Sequence, residues 1–170
     1  MATTSINYSS NNTLTIDLSA LASSSSFTSG RESNEVDNTT NKYIDAILQG
    51  KFTVGTTPGT TGGSIVYVWG SNVSLATTAL DVLDGVDSAE TFTATSLGAT
   101  VYQGIFVPVL VNTSNAEYQC KNFSVAKALG LPSLPKYWGV YVSQNTGAAL
   151  KTDAANTNSF TWVGIKYDIA

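Results

Sequence analysis

The stretch SIVYVWGS, residues 64–71, constrains the fold more than any other segment. Its β-branched and aromatic residues make it the clearest β segment of the chain. Segments of the same kind recur along the chain. TLTIDLSAL, 13–21, alternates Leu14, Ile16 and Leu18 with polar residues. KYIDAILQGKFTVG, 42–55, fits a helical face or a strand face; we read it as a strand that bends near Gly50. ETFTATS, 90–96, alternates again, and ATVYQGIFVPVLVN, 99–112, reads as a long β-run interrupted at Pro108. EYQCKNFSV, 117–125, and KYWGVYVSQNTGAAL, 136–150, add further strands, the latter turning around Asn145–Gly147. In SFTWVGIKYDI, 159–169, the set Thr161, Val163, Ile165, Tyr167 and Ile169 is the more apolar, so it is expected to face the core. SVAKALGLP, 124–132, carries the one good helix signal, with Ser124 to cap it, Gly130 to end it and Pro132 beyond.

Eight or nine short strands with almost no helix predict an all-β sandwich with one short helix. Uneven spacing and long connections favour jelly-roll or Greek-key wiring over a meander. Residues 1–12 are polar without clear period and read as a flexible arm, free or ordered on a neighbouring subunit. Residues 13–170 form a single sandwich domain.

Charge then narrows function. The 170 residues carry 8 bases and 12 acids, only 12% of the chain, where ~25% is usual. The bases are scattered, so no basic footprint for nucleic acid exists. No apolar stretch approaches the ~20 residues of a membrane helix, and the opening MATTSINYSSNN does not read as a signal peptide. Histidine is absent, which removes Ser-His-Asp and Cys-His nucleophiles and His-ligated zinc. Cys120 stands alone, cannot form an internal disulfide, and sits in a strand-like run where burial is expected. These absences favour a protein that is not an enzyme and uses no cofactor or metal.

Two features compete for a functional role. DVLDGVDSAE, 81–90, holds Asp81, Asp84, Asp87 and Glu90 at steps of three. That spacing does not match a calcium-binding EF-hand loop. The leading reading is a solvated acidic loop; contact with a basic partner surface, or a calcium ion held by loop carboxylates and backbone carbonyls, comes next, and catalysis by paired carboxylates last. The aromatic pairs Tyr67 with Trp69, and Tyr137 with Tyr141 across Gly139, would suit a sugar-stacking platform if exposed. Core packing is the simpler reading.

The succession GRESNEVDNTTNKYIDAILQGKFTVGTTP, DVLDGVDSAETFT and LPSLPKYWGVYVSQNTGAAL resembles small proteins encoded among tailed-bacteriophage and prophage structural genes, over about residues 27–170. The resemblance is one of whole segments and includes no catalytic motif. It implies a β-sandwich virion protein of the capsid decoration, or cement, type. The expected partners are the major capsid protein and further copies of the chain, as dimers or trimers. The expected place is the capsid surface, after synthesis in the host cytoplasm. Candidate partner contacts are Tyr8, Asn11 and Asn12 of the arm and Asp81, Asp84, Asp87 and Glu90 of the loop. The alternatives are a tail or head-fibre module and a carbohydrate-binding module.

Overall fold

The structure is a computed structural model that describes residues 3–152 and 158–169. Two antiparallel sheets pack face to face, as the alternating segments predict. The first, sheet A, contains β1 (Thr4–Tyr8), β2 (Asn12–Leu14), β5 (Asp45–Thr53), β9 (Glu117–Ser124) and β11 (Ser159–Ile169). Its order is β1-β11-β5-β9, with β2 following β1 along the same edge of β11. The second, sheet B, contains β3 (Ser29–Glu32), β4 (Val36–Asp37), β6 (Gly63–Ser71), β7 (Ala89–Thr91), β8 (Tyr102–Pro108) and β10 (Tyr137–Gln144). Its order is β7-β3-β10-β6-β8, with β4 also on β10. The chain crosses repeatedly between the sheets, so most hydrogen-bonded neighbours are distant in sequence.

The main core lies between the sheets. Val66 and Val68 of β6 and Trp138, Val140 and Val142 of β10 meet Ala46, Leu48 and Phe52 of β5 and Phe160 and Trp162 of β11. Trp138 and Trp162 pack edge to face, with ring centroids 5.3 Å apart, and Phe52 and Phe160 do the same at 5.4 Å. This corrects the expected polarity of β11. Phe160 and Trp162 point inward, and Val163, Ile165 and Tyr167 point outward. Phe160 packs on the Phe52 ring and Trp162 on Trp138 of the other sheet, so specific ring contacts override the count of apolar positions.

The bend near Gly50 is present. The register between β5 and β9 shifts between Leu48 and Gly50. A Cβ at residue 50 would stand 2.4 Å from the Phe160 ring, so the close approach requires glycine. Strand β2 is shorter than TLTIDLSAL suggests, yet Leu14 and Leu18 are both buried. The Ser124-capped helix is found as α2 (Val125–Ala128). A second helix, α1 (Ala94–Thr100), replaces the strand expected there and shortens the following β-run to Tyr102–Pro108. Its cause is local. Thr93 and Ser96 form a reciprocal capping box, which turns an alternating Thr-rich stretch into a helix start.

The arm expected over residues 1–12 is also corrected. Thr4–Tyr8 pairs in full register with β11, and Ser9 N donates to the Gly164 carbonyl at 2.9 Å. Alternation of Thr4, Ile6 and Tyr8 with Ser5 and Asn7 supplies a strand pattern that the polar composition hides. Met1 and Ala2 lie outside the described residues.

Candidate functional site

A second, smaller core lies on the outward face of sheet B. Trp69 of β6 and Tyr141 of β10 project there, both fully buried, beneath Leu75, Leu83, Phe92, Leu97 and Val101. All five covering residues come from the segment 72–101. The Phe92 ring stands edge-on to Tyr141 at 5.0 Å. Gly139 makes room for the layer, since a Cβ there would meet the Trp69 ring at 2.4 Å. Trp69 and Tyr141, from the two candidate sugar-stacking pairs, therefore lie under protein, and Tyr67 is half-covered beside them.

Two glutamates pin this cover. Glu32, fully buried at the end of β3, accepts the backbone N–H of Asp84 at 3.0 Å and of Gly85 at 2.9 Å, one on each carboxyl oxygen. Burial pushes its pKa from an ordinary 4.5 up to about 8, and the two amide bonds oppose the shift. Glu35 accepts from the Ser74 hydroxyl at 2.5 Å and the Leu75 N–H at 2.9 Å. Neither glutamate is among the sequence-predicted site residues, because the loop each one holds lies about forty to fifty positions further along the chain.

Each acid of 81–90 has a structural task. Asp81 occupies a left-handed position, φ 56°, in the tight turn that joins Leu80 to Leu83. Asp84 accepts the Val86 N–H at 3.0 Å, an Asx turn. Asp87 pairs with the Arg31 Nε at 2.5 Å and accepts the Asp17 N–H at 2.9 Å. Glu90 lies in β7 opposite Gly30 and accepts from the Ser88 hydroxyl at 2.7 Å. No group of three or more His, Cys, Asp or Glu among the described residues is placed to hold a metal ion. Cys120 is buried, and burial pushes its thiol up to about 12.

The candidate contacts of the arm lie on the opposite side of the molecule. Tyr8 projects from the outward face of sheet A, in register with Ile165. Asn11 is exposed beside it. Asn12 is engaged structurally, its amide donating to the Ser10 carbonyl at 2.9 Å. The fold therefore does not unite the two candidate sets in one site.

It does bring together Val163, Ile165 and Tyr167, expected in the core, with Ile6 and Tyr8 of the expected arm. Val163, Ile165 and Tyr167 of β11, Ile6 and Tyr8 of β1 and Ile47 of β5 line the outward face of sheet A. Ile6 is 57% exposed, Tyr8 62% and Tyr167 57%. Val163, Ile165 and Ile47 beside them are half-buried. A shallow hollow on this face is lined by Tyr8, Asn11, Ile47, Gln49, Asn122 and Val163, none of them charged.

The chain matches no family model, and no similar protein was found among curated sequences or solved structures.

Proposed function

We propose that the chain is a structural subunit of a tailed-bacteriophage particle, a decoration or cement protein that binds the major capsid protein lattice and stabilises the head. The observation that carries the reading is the exposed group Ile6, Tyr8 and Tyr167 on the outward face of sheet A, beside Val163 and Ile165 and bordered by Asp45. A sandwich that seals one outward face with its own loop and leaves the other apolar has a surface suited to a protein partner. Repetition of such contacts over a lattice would give strong attachment from weak single contacts. The segment resemblance supplies the kind of particle. Burial of Trp69 and Tyr141 weighs against a sugar-stacking role for those rings.

The test is made on particles released by the host that carries the gene. Protein composition should show the chain at a copy number commensurate with the capsid lattice. Heads stripped of it should lose their DNA at lower temperature than intact heads. A chain found only in detached tails, or absent from purified particles, contradicts the reading.

A further inference from the structure

Sheet edges are templates for further pairing, and folded proteins block them with charge, proline, bulges or cover. Three of the four edges here are blocked. β8 ends at Pro108, and its register with β6 shifts between Val66 and Tyr67. β9 carries Glu117 and Lys121, and its Phe123 lies over Gly104 of β8, which closes that side of the sandwich. β7 is three residues long and runs into the capped helix α1. β1, with the sequence TSINY, has no charge, no proline and no register shift against β11. All five of its residues are exposed.

The direction of its free backbone groups follows from alternation. Ser9 N bonds to Gly164 O, so Asn7 and Ser5, in register with Lys166 and Asp168, also turn their backbone groups toward β11. Thr4, Ile6 and Tyr8 therefore present their N–H and C=O groups to the open edge. These are also the residues whose side chains lie on the outward face of sheet A.

We infer that β1 pairs antiparallel with β1 of a second copy, about a two-fold axis through Ile6. In that register Ile6 faces Ile6 of the other copy, Thr4 faces Tyr8, and Ser5 faces Asn7. Every outward N–H and C=O of Thr4, Ile6 and Tyr8 then finds a partner. No charged residue of β1 meets another, so the strand is complementary to itself. The axis is perpendicular to the sheet, so both copies keep their apolar strips on the same side. The result is one continuous sheet with Ile6, Tyr8 and Tyr167 from each copy clustered near its centre. A second copy fits better than an unrelated strand because an uncharged edge opposite itself satisfies both the backbone and the side-chain pattern without further requirement. The edge of a five-residue strand gives less than the ~1,200–2,000 Å² of a standard stable interface. The pairing is therefore expected to depend on concentration.

Sedimentation of the full chain over a range of concentrations tests this, with Ile6→Lys as the disrupting variant. Ile6→Cys serves as the positional probe, since Cys120 is buried. Ile6 is largely exposed, so neither change touches the core, and unchanged melting curves verify the fold. The expected result is a reversible dimer in the parent, a dissociation constant raised at least ~10-fold in Ile6→Lys, and disulfide-linked dimers of Ile6→Cys under mild oxidation. A parent that stays monomeric at all concentrations overturns the inference. So does a dimer, or a higher oligomer, that Ile6→Lys leaves unchanged. These outcomes do not require a capsid, so they stand apart from the test of the proposed function.

Discussion

The two outward faces of this sandwich are finished in opposite ways. Sheet B presents Trp69 and Tyr141 outward and covers them with its own segment 72–101, held by Glu32 and Glu35. Sheet A presents Val163, Ile165 and Tyr167 outward with Ile6 and Tyr8 beside them, and Ile6, Tyr8 and Tyr167 remain exposed. The difference separates stability from contact. An aromatic face sealed by buried hydrogen bonds contributes to folding. An apolar face left open contributes little to folding and is available to a partner.

The largest expected effect comes from opening the sealed face. Trp69→Ala should cost ~3–5 kcal/mol in urea unfolding, comparable with a core tryptophan. A loss below ~1 kcal/mol would mean that 72–101 is a loose lid and that the two faces do not differ as described.

Next is the pin beneath the cover. The folded Glu32 titrates near 8 and the unfolded one near 4.5, so between those values the folded state holds a proton that the unfolded chain has released. This contribution to stability is fully present below about pH 4.5 and is lost as pH rises through about 8. Urea midpoints should therefore fall across that window in the parent, and Glu32→Gln should flatten the slope. An equal slope in the variant would place the titration elsewhere.

A smaller effect is expected at the rim of the cover. Asp87→Asn breaks the partly exposed pair with Arg31 and should cost ~1 kcal/mol or less, as read from denaturation midpoints at low and high salt. If the loop instead served a basic partner, Asp84→Asn and Asp87→Asn would weaken capsid binding at low salt and leave it unchanged at high salt. The smallest stability effect belongs to the open face. Tyr167→Ser should change stability by less than ~0.5 kcal/mol while weakening particle binding in co-sedimentation. A large loss of stability from Tyr167→Ser would remove the contrast on which the comparison rests.

Much of the architecture was legible from period-2 alternation. The bend at Gly50 and the Ser124 cap were legible too, because each depends on local chemistry alone. The inward face of β11 was not, because alternation gives two candidate faces and the choice depends on how Trp162 meets Trp138 from the other sheet. Helix α1 was hidden for a related reason: TFTATS alternates like a strand, and only the Thr93–Ser96 capping pair marks the helix. The acidic decapeptide drew attention by composition, yet its carboxylates mostly serve turns and an ion pair. The residue that organises it, Glu32, lies more than fifty positions earlier in the chain, and no local pattern connects the two. Val163, Ile165 and Tyr167 were read as the apolar set of β11 and placed on the wrong side of it.

If the proposed role holds, the outward face of sheet A is the surface that meets the particle. Cryo-electron microscopy of the native particle tests it most directly. The expected density is an icosahedral array of this chain on the capsid, with Ile165, Tyr167 and Tyr8 buried against neighbouring subunits and segment 72–101 turned to solvent. Density with the 72–101 side against the shell and sheet A bare would contradict it, as would density confined to the tail.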